Sequence, residues 1–247
     1  MVDNNWHGSI RQIAGMLVFR AFMRRHFDRV IVPGSEGVRF MRLMGMPRER
    51  IYTRMYGADP DLFNLPSESL SNRPKRIVFV GQMIERKGVR EMLEAWKRSG
   101  SAGAGWELRC FGRGPLEPLL AGVPGVFNGG FAQAERLASE LRNARVLILP
   151  SREEHWGVVV HEAALCGCAL AISSAVGAGA DLVEPANGFI FPPGKPQRIA
   201  EVFGQICSKT AEWYDNANTV STKVAENFGP TRWAEMFDAL VADLFGH

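Results

Sequence analysis

The sequence predicts an α/β protein in which one doubly wound, parallel-sheet domain is joined to part of a second α/β lobe. Three observations carry this reading. Past residue 75, short apolar β-rich runs alternate with amphipathic stretches of helical period. A polar stretch containing Pro and Ser, residues 65–74, separates that pattern from a shorter version of it upstream. The chain then ends in three successive stretches of helical spacing.

Upstream of the polar stretch, residues 9–26 and 36–44 read as helices and 29–32 and 51–52 as strands, too little for an independent α/β domain. Beyond it, strands are expected at 76–81, 106–111, 125–128, 144–150, 169–173 and 188–191. The first helix, at 87–98, places Val89, Met92, Leu93 and Trp96 on one face, and further helices are expected near 115–121, 132–143 and 158–166. Apolar strands alternating with helices of about ten residues argue a parallel sheet covered on both faces. The terminal helices fall at 196–208, 211–227 and 230–245, with Pro196 and Pro230 suited to first-turn positions. The resulting division is a partial N-terminal lobe at 1–66, a linker at 67–74, the parallel-sheet domain at 75–229, and a C-terminal helix at 230–247 that can cross back to the N-terminal lobe.

Composition sets the class. With 46% hydrophobic and 22% charged residues the chain is neither disordered nor collagen-like. No run approaches the roughly 18 apolar residues of a membrane span, and residues 3–7 lack the basic-then-apolar layout of a secretory leader. The expectation is a cytoplasmic protein. The four cysteines are too few for a disulfide framework, and Cys166-Gly-Cys168 lacks the further nearby ligands of a zinc site. The net charge of +3 resides wholly in residues 1–72, which hold ten Arg, no Lys and seven acidic residues. Residues 9–29 interleave Arg11, Arg20, Arg24 and Arg25 with apolar residues; such a stretch is a solvated helix face over a core, or a peripheral contact for the inner face of a membrane. Its apolar side also admits a homo-dimer. No nucleic-acid-binding motif accompanies the charge.

In an open parallel sheet the turns after the strands collect the chemistry. The first turn, Gly81-Gln82-Met83-Ile84-Glu85-Arg86-Lys87-Gly88, places Arg86 and Lys87 at the start of the next helix, where free amides also favour an anion. The second, Phe111-Gly112-Arg113-Gly114-Pro115, lets the backbone approach a ligand at Gly112 and Gly114. Glu117 occupies the last glycine position of a dinucleotide fingerprint, so NAD is not supported. The third turn carries Glu154, with Gly157 beginning a helix and Glu162 about one and a half turns into it, so that both carboxylates can border one pocket. A carboxylate there can accept two hydrogen bonds from a vicinal diol, and the amides of Gly157, Val158 and Val159 can meet a phosphate. A Glu inside an otherwise apolar helix also needs a partner.

The set Glu154-x7-Glu162 within Pro-Ser…Glu-x-Trp-Gly…Glu-Ala…Gly resembles the donor signature of retaining family 4 glycosyltransferases of the GT-B fold. The likeness continues through Val80-Gly81…Lys87-Gly88, Phe111-Gly112-x-Gly114-Pro115 and Gly177-x3-Asp181…Asn187-Gly188, and residues 28–63 are similar to the close of such enzymes' N-terminal lobe. The resemblance implies transfer of a sugar from a nucleotide-diphospho-sugar to a saccharide or lipid-linked acceptor hydroxyl, with retention at the anomeric carbon and with no metal or other cofactor. It implies Lys87 and Glu154 as catalytic: Lys87 on the donor diphosphate, Glu154 on the transferred sugar. Glu162 would hold the ribose, and the amides from Trp156 to Val159 would line the sugar phosphate. Gly81, Gln82, Arg86, Gly112, Gly114 and His155 complete the implied substrate site.

The chain departs from that pattern at Gln82, where the family often has Arg, and at Cys168, where Pro is usual. The residues before the linker match only the last part of an acceptor lobe, and the Gly-rich loop and sugar-side His of that lobe have no counterpart in His7 or His26. A sugar-nucleotide-binding module working with a complete partner is therefore the rival reading; an epimerase of the same shape would need further acid/base residues. Asp59-Pro60-Asp61 matches a metal-binding Asp-x-Asp, but it lies in the run before the linker, and His161, beside Glu162, is expected to point away from the pocket.

Overall fold

The computed structural model describes residues 1–2, 8–64 and 68–246. The leader reading at residues 3–7, with His7, and the linker residue Ser67 lie outside them. The chain forms two units, one of residues 58–227 and one combining 1–57 with 228–247.

The larger unit is built on a six-stranded parallel sheet, β3 (Arg76–Val80), β4 (Glu107–Phe111), β5 (Val126–Gly130), β6 (Val146–Leu149), β7 (Ala169–Ser173) and β8 (Gly188–Phe191), in the order β5-β4-β3-β6-β7-β8; β1 and β2 belong to the smaller unit. Every residue of β6 and β7 is buried, which is why Val146–Leu149 and Ala169–Ser173 carry no polar alternation. The order reverses between β3 and β6, so the ligand crevice of this sheet lies beyond the carboxyl ends of those two strands.

The helices of this unit are α3 (Val89–Ser99), α4 (Ala134–Arg142), α5 (Val158–Leu165), α6 (Gly179–Leu182), α7 (Pro196–Ser208) and α8 (Ala211–Ala225). Helix α3 buries Val89, Met92, Leu93 and Trp96, and Trp96 meets Phe203 of α7 edge-to-face at 5.3 Å. The helix expected near 115–121 is only a 3-10 turn, Glu117–Leu120, because Pro118 lacks the amide an α-turn needs. The short α6 was invisible to periodicity, having four residues.

The units divide between Gly57 and Ala58 and between Asn227 and Phe228, not at 67–74. Polar composition reads as a linker, yet side chains fasten that stretch to the larger unit. Leu70 is fully buried. The Ser71 amide and both Ser69 and Ser71 hydroxyls donate to Asp215. Arg145 donates to the Ser71 and Arg73 carbonyls at 2.6 and 2.7 Å.

In the smaller unit, β1 (Val30–Ile31) and β2 (Ile51–Tyr52) pair in parallel beside α2 (Ser35–Leu43), around a core of Val30, Val32, Phe40, Met41, Met46 and Ile51. Helix α9 (Pro230–Phe245) belongs to this unit, and its Asp243 accepts from Arg29 and, at 2.6 Å, from the Tyr52 hydroxyl. Those two donors hold the Asp243 carboxyl well below the usual carboxylate range. The helix expected at 9–26 is α1 (Ile10–Val18) followed by a π turn and a 3-10 turn; none of its residues is buried, and Ile10, Leu17 and Phe22 stand in solvent. No helix among the described residues is long and apolar enough to cross a membrane.

Candidate functional site

Three turns meet beyond the carboxyl ends of β3, β4 and β6, and backbone contacts fix them to one another. The Gly81 amide donates to the Phe111 carbonyl at 2.9 Å and the Met83 amide to Arg113 at 2.9 Å, joining the first two turns. Gly112, at φ +137°, is required by this packing: a Cβ there would stand 1.9 Å from the Gly81 carbonyl oxygen. The glycines of the second turn therefore serve close approach of the two loops, with Gly114 in the same way against the Met83 carbonyl.

The first turn differs from expectation in one respect. Arg86 and Lys87 end a 3-10 turn, Glu85–Lys87, and α3 begins only after Gly88, which is in the left-handed conformation. A Cβ on Gly88 would lie 2.2 Å from the Pro150 carbonyl oxygen, so the turn is pressed against the end of β6. The third turn answers it: the Arg152 amide donates to the Arg86 carbonyl at 2.8 Å, and the Arg86 guanidinium donates to the Glu153 carbonyl at 3.0 Å. Arg152 also bonds the buried Glu91 of α3 at 2.7 Å.

Between these turns Lys87 Nζ forms an ion pair with the Glu154 carboxylate, with side chains only 13% and 16% exposed. The two sequence-predicted catalytic residues are thus in contact and neutralise each other. Glu154 is itself held by its backbone, its amide donating to the Ala175 carbonyl and its carbonyl accepting from Gly177, both at 3.1 Å. The Trp156 carbonyl accepts from Ala178, and the Trp156 ring is buried. His155 is half-exposed and faces Glu153 at 3.7 Å.

Gly157 precedes α5, so the Gly157, Val158 and Val159 amides stand at the helix start, where no carbonyl of the preceding turn can take them. Glu162 lies one turn further along, partly buried among apolar neighbours. Among the described residues no hydrogen-bond or ion partner meets its carboxylate, and burial pushes its pKa up to about 7. His161 is wholly buried, with both ring nitrogens on backbone groups. Asp59 accepts the Asp61 amide at 2.9 Å and so closes a turn on itself.

Beside Lys87 opens a cavity of about 380 Å³ lined by Gly81, Gln82, Phe111, Gly112, Phe131 and Leu137 among others. The position of a Gly81 Cβ would be 3.7 Å from Lys87 Cδ, so cavity and cation adjoin. The Arg136 guanidinium lies 5.6 Å from the centroid of the Phe111 ring, and Phe131 is 59% exposed. Gly114 lines a different, open depression with Pro115, Glu117 and Asn128. Phe131 and Leu137 escaped sequence reasoning. The one signal, at Phe131, was an aromatic residue placed between a strand end and a helix start, which is also where ordinary core residues fall. Chemically, the arrangement offers a largely apolar cavity, a part-buried cation, a helix start and two carboxylates.

The family model described as glycosyl transferases group 1 matches residues 74–209. The chain is 26% identical over 200 residues to the amylovoran biosynthesis glycosyltransferase AmsK of Erwinia amylovora, covering 75% of this chain and 49% of that protein. Among solved structures, a glycosyltransferase from Rickettsia africae ESF-5 superposes with a TM-score of 0.74 at 14% identity, over 97% of this chain and 68% of its own. Anabaena Alr3699/HepE, solved in complex with UDP and glucose, does so with a TM-score of 0.71 at 16% identity, over 93% and 67%. The chain spans about half the length of curated relatives such as AmsK and the sulfoquinovosyl transferase SQD2 of Arabidopsis thaliana. The strand order, the parallel sheet and these superpositions give the α/β architecture of GT-B glycosyltransferases. By its matched residues the chain belongs to the glycosyl transferases group 1 family.

Proposed function

We propose that this chain binds a nucleotide-diphospho-sugar and serves its transfer to an acceptor hydroxyl, in the manner of the retaining family 4 enzymes. The observation that carries the reading is the Lys87–Glu154 pair, set between an apolar slot on one side and the start of α5 on the other. A flat nucleobase fits the slot against Phe111 and Phe131, and its ribose diol finds acceptors in an ionised Glu162. The diphosphate takes Lys87 and the Gly157, Val158 and Val159 amides, which offset the charge that develops as the sugar–phosphate bond breaks. Glu154, released from Lys87, accepts from hydroxyls of the sugar. Gln82 and Arg86 border the diphosphate, Arg86 with the donors its bond to Glu153 leaves over, and His155 borders the sugar.

The acceptor class is a saccharide or a lipid-linked acceptor, in line with the amylovoran biosynthesis for which AmsK is named. The charge supplied by Lys87 and the helix amides makes a metal unnecessary for holding the donor. Calorimetry with UDP tests the reading. Loss of a charge-assisted hydrogen bond costs roughly 1.5–3 kcal/mol, so Lys87→Ala should weaken UDP about 10- to 150-fold. Unchanged affinity in a folded variant would remove Lys87 from the site. The anomeric configuration of the product, read by NMR from a chain supplied with donor and acceptor, tests retention.

A further inference from the structure

The chain passes between its two units twice, between Gly57 and Ala58 and between Asn227 and Phe228. One side chain holds the larger unit's side of both passages. His161, fully buried on α5, accepts the Ala58 amide at Nδ1 over 2.9 Å, while its Nε2 lies 2.9 Å from the Ala225 carbonyl. Ala225 is the last residue of α8 and leads directly into the 3-10 turn Glu226–Phe228, and Ala58 lies in irregular chain outside any strand or helix. In the smaller unit the same passages touch directly: a Cβ on Gly57 would stand 2.7 Å from the Phe228 carbonyl oxygen.

The two bonds assign the imidazole. Nδ1 accepts, so the proton is on Nε2 and the ring is neutral. Burial supports this by holding its pKa below the ordinary histidine range, against a smaller opposing effect of the Ala225 carbonyl. Neither an Asp, which would bring a charge, nor an apolar residue can accept from one backbone group and donate to another about a ring's width away.

We propose that His161 is a positioning residue that fastens both interunit passages to α5, so that occupancy of the donor site is transmitted to both at once. The transmission, unlike the fastening, rests on the proposed donor site. Helix α5 carries the phosphate amides at its start and Glu162 immediately after His161. A ligand that draws the start of α5 onto its phosphates and Glu162 onto its ribose loads the element to which both Ala58 and Ala225 are tied through His161. The sequence distance between those two, with the entire sheet between them, makes a shared anchor the direct route for coupling them.

The experiment uses the full chain, with UDP as the probe. In 15N-resolved NMR the wild-type His161 ring should show the neutral Nε2–H tautomer, and a Nδ1–H or charged ring overturns the assignment. Amide exchange should then be compared among wild type, His161→Phe and His161→Gln without ligand. The Ala58 amide should exchange about tenfold faster in His161→Phe, as expected for loss of one buried hydrogen bond, with β6 and β7 unchanged, and His161→Gln should recover part of the protection. Equal Ala58 protection in all three refutes the fastening. On adding UDP, wild type should gain protection at Ala58 and at the end of α8, whereas His161→Phe should bind UDP within about threefold of wild type and gain none. The same gain in both proteins refutes the coupling. Absence of any UDP heat in the wild type refutes the donor site instead, and with it the coupling, while the ligand-free exchange still decides the fastening.

Discussion

Glu162 should make this protein less stable and a better nucleotide binder as pH rises through about 7. The folded carboxyl is pushed from 4.5 up to about 7 by burial, with no cation among the described residues to oppose it. Because the folded value is raised, the contribution is fully present below the unfolded value of 4.5 and is lost as pH climbs to about 7. A shift of this size corresponds to on the order of 3 kcal/mol once the group is ionised. Glu162→Gln keeps the shape and cannot ionise. It should therefore match the wild type at pH 4 and be more stable by about 3 kcal/mol at pH 8, read as a difference in thermal or urea unfolding of the larger unit. Binding runs the other way. The ribose diol donates to an ionised carboxylate, so wild-type affinity for UDP should rise about tenfold more between pH 6 and pH 8 than that of Glu162→Gln. Comparing wild type with the variant cancels the titration of the UDP phosphate itself. A stability gap between variant and wild type no larger at pH 8 than at pH 4, or parallel affinity profiles, would refute the assignment of Glu162 as a buried carboxyl that takes a diol.

Gly112→Ala should lower stability by at least about 2 kcal/mol and abolish UDP binding by calorimetry, since its Cβ would fall 1.9 Å from the Gly81 oxygen and separate the first two turns. An alanine variant of wild-type stability would show that the turns have slack. UDP binding should persist in excess EDTA, because Lys87 and the α5 amides supply the positive charge and Asp59 is engaged in its own turn. Loss of binding that Mg²⁺ or Mn²⁺ restores would contradict it.

The doubly wound domain was legible because its strands are short, apolar and separated by helices of clear period, and β6 and β7 need no partner information to be recognised as buried. The division of the chain was not. Stretch 65–74 has linker composition, and what makes residues 68–74 part of the domain is a set of long-range bonds to Asp215, Ala144 and Arg145 that no local pattern encodes. Within the site, the charged and acidic residues were visible as types out of place in apolar context. The slot was not, because Phe111, Phe131 and Leu137 belong to different elements and only the fold brings them together. His161 shows the opposite limit. A histidine beside a candidate carboxylate invites a chemical role, whereas its neighbours in space are the backbone of Ala58 and Ala225.

The Lys87–Glu154 pair sets a preference between ligands. A nucleoside diphosphate that takes Lys87 must break its ion pair with Glu154, whose side chain is only 16% exposed. A nucleotide-diphospho-sugar makes the same exchange but presents hydroxyls to the carboxylate it displaces. The sugar therefore contributes more than its own contacts, since it offsets a penalty that the bare diphosphate incurs. Replacing Glu154 with Gln removes the penalty: Glu154→Gln should bind UDP more tightly than the wild type does, by about 3- to 10-fold, and gain less or nothing for UDP-glucose. Competition calorimetry with the two ligands reads both changes on one protein. Should Glu154→Gln weaken UDP, the carboxylate contributes to holding the diphosphate itself, and the division of labour between Lys87 and Glu154 proposed for the transfer is wrong.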